Sequence, residues 1–406
     1  MSFQQGLSGL NIAAKNLDAI GNNVANASTV GYKAARAEFA DVFANSLAAG
    51  AGVQIGIGAQ VAAVRQQFSQ GNIVTTSNPM DVAINGAGFY RLSTNGTISY
   101  SRNGQFSLDR DGYIVTNSGA RLTGYPADPN GQIVASTPID LQVSLANIAP
   151  RATGDARVAI NLDSRETVPT TAFAITDPTS YNSSTAMTVY DSQGNAHTLT
   201  LYFRKSAANT WDVYGAANGA VLNGGAALGT MNFGGNGLLA GNVTMNASIP
   251  LANGAATPLA FPITFPASDM TQFGVNFSVS QLQQDGFTTG RLAGFAIGSD
   301  GVILGRYTNG QTRAQGQIVL ANFVNPQGLV ALGGNEWAET SESGQPLVAT
   351  PGSGNLGSLQ SGALEEANVD LTEELVKMIT AQRVYQANAQ TIRTQDQVMQ
   401  TIVNLR

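Results

Sequence analysis

Apolar side chains recur with helical spacing at the beginning of the chain. Between residues 2 and 26 they are separated by steps of three, four and seven residues, and Gly21 completes the series. Because an α-helix turns once in about 3.6 residues, these steps place the side chains along one side of a helix. Ser2 and Gln5 match a capping box at its start. The apolar members of this N-terminal series are Leu7, Leu10, Ala14, Leu17 and Val24.

A longer series occupies the other end of the chain. Its members alternate four and three residues apart throughout, which is the spacing of a coiled-coil helix. Asp370 and Glu373 are in position to cap this helix, and Arg406 suits the negative end of its dipole. Gln382 and Asp396 either set the register of a helical interface or lie on its solvated edge. The C-terminal series is Leu371, Leu375, Met378, Gln382, Tyr385, Ala389, Ile392, Asp396, Met399 and Val403.

The middle of the chain has the pattern of a β-rich protein. Nine Asn-Gly and three Asp-Gly dipeptides fall between residues 85 and 310. Such pairs favour type I′ hairpin turns, because both central residues of that turn need a positive φ. Between them lie short runs with alternating or β-branched and aromatic residues. The predicted strands include residues 88–92, 105–108, 113–116, 187–190, 198–203 and 302–307.

The apolar surface of both predicted helices is wider than one stripe. A helix pair that closes one domain within the chain is one interpretation, but such a pair covers only one stripe of each helix. Isolated helices of this length are marginal in water. We therefore expect mobile ends beside a folded β-rich body, and ordering of the ends when neighbouring copies cover them. The apolar residues beside the two series are Ile12, Ile20, Val376, Ile379, Val384, Val398 and Ile402.

A cluster of asparagines follows the N-terminal series in the segment GNNVAN, residues 21–26. Asn and Gly are poor helix formers, so one interpretation is a fraying helix end. The other is a set of side-chain amides that bond to adjacent backbone. Together with the two series, Asn22, Asn23, Val24 and Asn26 make up the expected interface between copies.

The composition narrows the classes of partner. Charged residues make up 11% of the chain, against about 25% in ordinary globular proteins, so like-charge repulsion between copies is weak. A net charge of -6 argues against nucleic acid as a partner.

The sequence also excludes several kinds of site and segment. The absence of cysteine excludes disulfides and thiolate metal sites. The sequence has no run of about 18 apolar residues, so we expect no segment that spans a membrane. The first thirty residues lack the pattern of a cleaved signal peptide.

Residues suited to catalysis are sparse. The single histidine, His197, is predicted to be a surface residue of a strand, with no second histidine or cysteine to complete a metal site. Asp109 and Asp111 flank a turn, where Asp commonly bonds to local backbone. Trp211 and Trp337 are predicted to fill β cores. We expect no catalytic, cofactor-binding or metal site, and hence no enzyme.

Two terminal strings and four middle segments resemble a known family. SGLNIAAKNLDAIGNNVANASTVGYKAARAEFADVF (residues 8–43), with NNVAN at its core, closely resembles the start of the flagellar axial proteins, which are the rod, hook and hook-associated subunits. GALEEANVDLTEELVKMITAQRVYQANAQTIRTQDQVMQTIVNLR (residues 362–406) resembles their paired C-terminal element. YSRNGQF, LTGYPA, YDSQGNAH and GQIVLANFVNPQGL resemble the hook-type members. The resemblance spans nearly the whole chain.

The resemblance implies a multi-domain α+β fold. A terminal α-helical coiled-coil pair would line the inside of a tube, beside two mainly β domains, the second inserted in the first. An Ala/Gly-rich stretch and a Pro/Gly/Ser-rich stretch would serve as linkers. The implied parts are residues 1–47 with 360–406 for the helical domain, 48–70 and 351–359 for the linkers, 71–145 with 285–350 for the first β domain, and 146–284 for the inserted outer domain.

The resemblance also implies a function. Such a subunit polymerises into a curved, flexible extracellular tube that transmits torque from the rod to the filament. Its partners would be further copies of itself, the hook cap, the distal rod, the hook–filament junction proteins and the flagellar type III export apparatus, which needs no cleaved signal. A distal-rod subunit, typically much shorter, is the nearest alternative. A secreted β-rich carbohydrate-active enzyme is the alternative from another class, and acidic pairs across a cleft would distinguish it.

Overall fold

The computed structural model describes residues 2–42, 56 and 58–404. Within these ranges the chain is mostly β-strand, with an α-helix at each end, as expected for the α+β class. The helices are α1 (Ser2–Ala25) and α2 (Leu371–Asn404). The strands are β1 (Ala35–Val42), β2 (Gly58–Gln66), β3 (Ile73–Thr75), β4 (Val82–Asn85), β5 (Phe89–Thr94), β6 (Thr97–Ser101), β7 (Phe106–Leu108), β8 (Ile114–Thr116), β9 (Arg121–Pro126), β10 (Ile139–Asp140), β11 (Ala156–Asp163), β12 (Ser183–Tyr190), β13 (Ala196–Ala207), β14 (Thr210–Ala217), β15 (Ala220–Val221), β16 (Gly229–Asn232), β17 (Val243–Ile249), β18 (Leu259–Phe265), β19 (Thr271–Phe273), β20 (Ser278–Gln284), β21 (Leu292–Ile297), β22 (Val302–Tyr307), β23 (Thr312–Ile318), β24 (Leu320–Asn322), β25 (Val330–Gly333), β26 (Glu336–Ala338), β27 (Leu347–Ala349), β28 (Ser358–Ser361) and β29 (Ala363–Glu365).

The chain divides into two compact units. Unit 1 consists of Met1–Ser144, Gly294–Arg306 and Thr312–Arg406, and unit 2 of Leu145–Ala293 and Tyr307–Gln311. Both helices belong to unit 1. All six predicted strands are present, each within or overlapping an observed strand, and residues 302–307 coincide with β22.

The two helices of unit 1 pack against each other in opposite directions. A Cβ placed on Gly6 would lie 3.0 Å from Cγ1 of Ile392, and one on Gly9 would lie 2.7 Å from Oδ1 of Asn388. At the other end of α1, Nδ2 of Asn23 donates to Oε2 of Glu374 at 3.1 Å. From the start of α1 to its end, the contacted residues of α2 therefore run from Ile392 back to Glu374, so the two helices are antiparallel. The missing side chains of the two glycines allow the helices to approach closely.

The start of α2 follows from its cap. Oδ1 of Asp370 accepts the backbone N–H groups of Thr372 at 2.8 Å and Glu373 at 3.1 Å. These groups have no partner within the helix, so Asp370 satisfies them and favours a helix beginning at Leu371. The predicted contribution of Arg406 lies outside the described residues, as does the side chain of Ser2 in the predicted capping box.

A β-hairpin replaces part of a predicted linker. β1 and β2 pair antiparallel from Ala35 with Gln66 to Val42 with Gly58. The assignment of residues 48–70 to a linker is therefore wrong for 58–66, and the helical assignment of 1–47 is wrong for 35–42. Small side chains suggested a flexible segment, yet β2 alternates between more and less exposed positions, as a strand does when one of its faces is covered. Residues 48–55 and 57 of this linker lie outside the described residues.

The largest sheet has thirteen strands, and its main path runs β21-β22-β23-β9-β5-β6-β26-β25. In unit 1 its aromatic side chains meet edge to face, as Phe89 does with Trp337 and Tyr100 with Phe323. Two smaller pairings, of β28 with β4 and β29 with β3, attach the segment before α2 to strands near the other end of the chain. The predicted linker 351–359 is therefore wrong at residues 358 and 359, which begin β28.

Unit 2 contains two five-stranded sheets that share one core. The first runs β17-β18-β11-β19, with β20 also paired to β11, and the second runs β12-β13-β14-β15, with β16 also paired to β14. Phe203 and Trp211 from the second sheet and Phe265 from the first are fully buried in a common cluster. Trp211 and, in unit 1, Trp337 therefore fill β cores as predicted.

The Asn-Gly turns are of more than one kind. Asn95, Asn218 and Asn223 have positive φ together with the glycine that follows, as the type I′ prediction requires. At the six remaining Asn-Gly pairs, Asn is not among the residues with positive φ, so the prediction is wrong there. Longer loops account for some of the difference. At Asn130-Gly131, for example, Oδ1 of Asp128 accepts the N–H groups of Asn130 and Gln132. The Asp111-Gly112 pair lies in a turn of the same kind, where Oδ1 of Asp109 accepts the N–H groups of Asp111 and Tyr113, which confirms the local role expected of Asp109.

Candidate functional site

The stripe by which α1 contacts α2 is not the predicted leucine series. The most buried positions of α1 are Gly6, Ala13, Ile20 and Asn23. The predicted series is offset from this stripe by one position along the sequence. Leu7, for example, comes directly after Gly6. Leu7 is 45% exposed. Within the chain the close contact is thus made by small residues, and the leucines lie beside it.

The same displacement occurs on α2. Glu374 and Ala381 are buried, and Leu375 and Gln382 follow them by one residue. Leu375 is 44% exposed. One residue corresponds to a rotation of about 100° around a helix. Because the helices are antiparallel, the same rotation from each facing stripe leads to the same side of the pair. We call this side, formed by the two predicted series, the seam face.

The eighteen predicted interface residues differ in exposure. Those exposed are Leu7, Asn22, Leu371, Leu375, Gln382, Tyr385, Asp396, Met399 and Val403. Those half-buried are Leu10, Ala14, Leu17, Val24, Asn26, Met378, Ala389 and Ile392, and Asn23 is buried. The structure thus brings most members of both series together on one largely apolar side of the helix pair, where much of their surface remains open.

Asn23 uses its amide within the chain. Its Oδ1 accepts the backbone N–H of Ala35 at 2.8 Å and the hydroxyl of Tyr32 at 3.1 Å. Its Nδ2 donates to the carbonyl of Ala35 at 2.9 Å as well as to Glu374. Burial, followed by the charge of Glu374, raises the pKa of Tyr32. These bonds fit the interpretation in which the amides of this cluster bond to nearby backbone, and they tie α1, β1 and α2 together.

A buried ionic cluster lies next to this junction and was not predicted. Glu365 accepts from Nζ of Lys33 at 2.5 Å, from Nη1 of Arg102 at 3.2 Å and from the N–H of Gly71 at 2.8 Å. Lys33 also donates to the carbonyl of Ser69 at 2.8 Å. Burial lowers the pKa of Lys33 and of Arg102, while the charge of Glu365 opposes both shifts. The cluster joins three distant parts of unit 1.

The sequence held only a weak signal for this cluster. Lys33 is one of 20 Lys and Arg residues in 406, and it stands in the segment GYKAAR after the asparagine cluster. In so lightly charged a chain, each charged residue is a candidate for a specific contact. Their partners could not be paired from sequence, because Arg102 and Glu365 lie 263 positions apart.

His197 has structural partners on both ring nitrogens. Its Nε2 lies 3.1 Å from Oδ2 of Asp191, and its Nδ1 lies 2.9 Å from Nδ2 of Asn218. Its side chain is only 11% exposed, so the expectation of a surface residue is wrong in degree. Burial acts to raise the pKa of Asp191, yet hydrogen bonds from His197, Asn195 and Asn253 together hold it well below its usual range. This arrangement closes a turn of unit 2.

The described residues contain no group of three or more His, Cys, Asp or Glu side chains that could hold a metal ion. Among the helices in the described part of the chain, none is long and apolar enough to cross a membrane.

Family models match four stretches of the chain. They are the flagella basal body rod protein family at residues 3–33, the flagellar hook protein FlgE/F/G D1 domain at 83–176, the flagellar basal body protein FlaE D2 domain at 161–287, and the flagellar basal body rod FlgEFG protein C-terminal family at 360–405. The solved structure of the Helicobacter pylori flagellar hook protein FlgE2 is similar in fold, with a TM-score of 0.54 and 14% sequence identity over 72% of this chain and 100% of that one.

Whole-length relatives are closer in sequence. The flagellar hook protein FlgE of Salmonella typhimurium strain LT2 is 45% identical over 412 residues, covering 100% of both chains. That of Escherichia coli K12 is 43% identical over 410 residues, again covering 100% of both. That of Borreliella burgdorferi is 32% identical over 448 residues, covering 100% of this chain and 99% of the relative. With identity of this level along its entire length, the chain belongs to the flagellar hook protein family.

Proposed function

We propose that copies of this chain polymerise through α1 and α2 into the helical tube of the flagellar hook. The observation that carries the proposal is the seam face, where leucines such as Leu7 and Leu375 remain about half exposed. Burial of a large apolar side chain contributes about 1.5–3 kcal/mol. Contact with further copies would cover this face, whereas contact between α1 and α2 alone does not.

In this proposal the helices form a coiled-coil pair on the inside of the tube. Unit 2, near the implied range 146–284, is the β domain inserted into the first and directed outwards. Interlocked helices resist twisting, while surfaces with few charges slide past one another at little energetic cost per contact. Such a tube can transmit torque from rod to filament and still bend, as a universal joint does. The hook cap, the distal rod and the junction proteins would contact its two ends.

The hook subunit is favoured over the two alternatives. Residues 161–287 match a D2 domain family, and this is the part that the typically shorter rod subunits lack. The alternative of a carbohydrate-active enzyme finds no support in the His197 cluster, whose polar atoms bond to neighbouring side chains. Export by the flagellar type III apparatus belongs to the same proposal.

A charge placed on the seam face tests the proposal. Leu375→Asp should abolish polymerisation, because assembly would bury an unpaired carboxylate, while both units stay folded. The matched control is Gln390→Asp, which adds the same charge at an exposed position on the side of α2 away from α1. Negative-stain microscopy and sedimentation would follow assembly, and circular dichroism would follow folding. Normal tubes from Leu375→Asp would contradict the proposed interface.

A further inference from the structure

An apolar groove lies on the other side of the helix pair. It has a volume of about 370 Å³. It is lined by residues of three elements: Ile12 and Ala13 of α1, Val376, Thr380 and Val384 of α2, and Phe39 of β1. Phe39 is 40% exposed and Val376 59% exposed. Covering these apolar side chains with another apolar surface would be favourable.

The groove carries no unpaired charge among the described residues. Lys377 is its single charged lining residue. Its Nζ is held at 2.9 Å from Glu373 and 2.8 Å from Glu374. These hydrogen bonds, first that to Glu374 and then that to Glu373, raise the pKa of Lys377, so the ammonium remains paired within its own helix. An occupant therefore needs no opposite charge, and a charged occupant would be desolvated without compensation.

Helical geometry places this groove opposite the seam face. The seam residues follow the facing stripe of each helix by one position, whereas Ile12 precedes Ala13 and Thr380 precedes Ala381. A step back by one residue rotates a side chain by about 100° in the opposite sense. The pair therefore has two apolar sides that face away from each other: the seam face and the groove.

We propose that the groove receives the ridge formed by Leu7, Leu10 and Leu17 of α1 from a second copy of the chain. This proposal rests on the proposed function and adds the site to which the seam face binds. The α1 ridge is free of polar side chains, unlike the α2 series with Gln382 and Asp396. It therefore matches an uncharged groove better than any other part of the seam face, and ridges of one helix commonly pack into grooves of another.

The opposed positions of ridge and groove determine the kind of assembly. When two different surfaces of one chain bind each other, each added copy offers a new free site. Such head-to-tail contacts give open helical polymers or rings, whereas a self-complementary surface would stop at a dimer. The contact between ridge and groove therefore adds copies side by side across the helix pair and does not stop at a dimer.

Cysteine cross-linking tests this contact, because the natural chain contains no cysteine. Chains carrying Leu10→Cys and chains carrying Thr380→Cys, distinguished by a mass tag, are copolymerised and then oxidised. A disulfide forms only when the two Cα atoms lie within about 7 Å, so the heterodimer should be the dominant cross-linked species. The control pair is Leu10→Cys with Gln390→Cys, which should give only background heterodimer, because Gln390 lies on the far side of α2. Mass spectrometry of the linked peptides identifies the pair.

A second variant tests the same contact without introducing a cysteine. Thr380→Trp fills the groove and should reduce the polymerised fraction at least tenfold, whereas Gln390→Trp should polymerise as the natural chain does. Tubes that form without the Leu10–Thr380 cross-link, or undiminished assembly of Thr380→Trp, would overturn the groove contact and leave the proposed function intact. Failure of the unsubstituted chain to form tubes would instead remove the proposed function, and this contact with it.

Discussion

Unit 2 and the helix pair of unit 1 differ in how much of their apolar surface is buried within a single chain. In unit 2, two sheets enclose Phe203, Trp211 and Phe265, whose side chains are fully buried. Along α2, among the described residues, only Glu374 and Ala381 are buried, and many of the large apolar residues are exposed. One region completes its core within a single chain, and the other does not. The core of unit 2 is complete within one chain, whereas the helices leave apolar surface that the proposed contacts with further copies would cover.

The helix pair is held at one end by polar contacts. Asn23 bonds to Ala35 and Glu374, and the Glu365 cluster with Lys33 and Arg102 lies on the same junction. Polar networks of this kind depend on geometry and specify a single arrangement of the elements that they join. The junction therefore fixes where the helices leave the β-rich part of unit 1, while their apolar sides remain available.

The largest effect is expected from opening the core of unit 2. Phe265→Ala should lower the free energy of unfolding by about 3–5 kcal/mol, because it removes a fully buried ring and leaves a cavity. Each unit has one tryptophan, so Trp337→Phe and Trp211→Phe backgrounds let fluorescence in urea report each unit separately. We expect the urea transition reported by Trp211 to move to a lower urea concentration and the transition reported by Trp337 to stay unchanged.

The matched control is Phe273→Ala, in the same unit, at a ring that is 45% exposed. Surface substitutions usually change stability by less than about 0.5 kcal/mol. An equal shift of both tryptophan transitions after Phe265→Ala would mean that the two units unfold together, and it would remove the contrast between a self-contained unit 2 and the rest of the chain.

A somewhat smaller effect is expected in unit 1 from Glu365→Gln. The substitution keeps the shape of the side chain but leaves the ammonium of Lys33 and the guanidinium of Arg102 buried without a counter-charge, at a cost of about 3 kcal/mol. The Trp337 transition in urea should move and that of Trp211 should not. The neighbouring Glu366→Gln is the control, since Glu366 is exposed. If Glu365→Gln is no more destabilising than this control, the cluster does not hold the junction.

The helices and strands could be predicted where their signal is local. The spacing of Leu371, Leu375 and Met378 is visible in sequence, and so is the alternation of residues 198–203. What could not be predicted depends on distant partners. The close contact between helices uses Gly6 and Gly9, which carry no hydrophobic signal, so the periodicity marked the adjacent leucines instead. The Glu365 cluster joins residues hundreds of positions apart, and the β2 strand was obscured because its small residues resemble those of a linker.

The smallest effect is expected on the stability of unit 2 when the pH is lowered. The side chain of Arg165 donates to Asp163, and its shortest bonds run from Nε to Oδ1 at 2.9 Å and from Nη2 to Oδ2 at 2.7 Å. These bonds, followed by that of the Arg165 backbone N–H, lower the pKa of Asp163 to about 2. A carboxyl whose pKa is lower in the folded state than in the unfolded state stabilises the fold above its unfolded pKa of about 3.9. That contribution is lost as the pH falls from about 4 to about 2.

The urea midpoint of the Trp211 transition should therefore decrease between pH 4.5 and pH 2.5, and Arg165→Gln should make this decrease shallower. Arg110→Gln is the control, because Arg110 is exposed and lies 3.9 Å from Asp111 in unit 1. The change should be modest, since Arg165 is itself largely exposed and the pair is screened by solvent. If the natural chain and Arg165→Gln have the same slope, this pair contributes nothing to the pH dependence of unit 2.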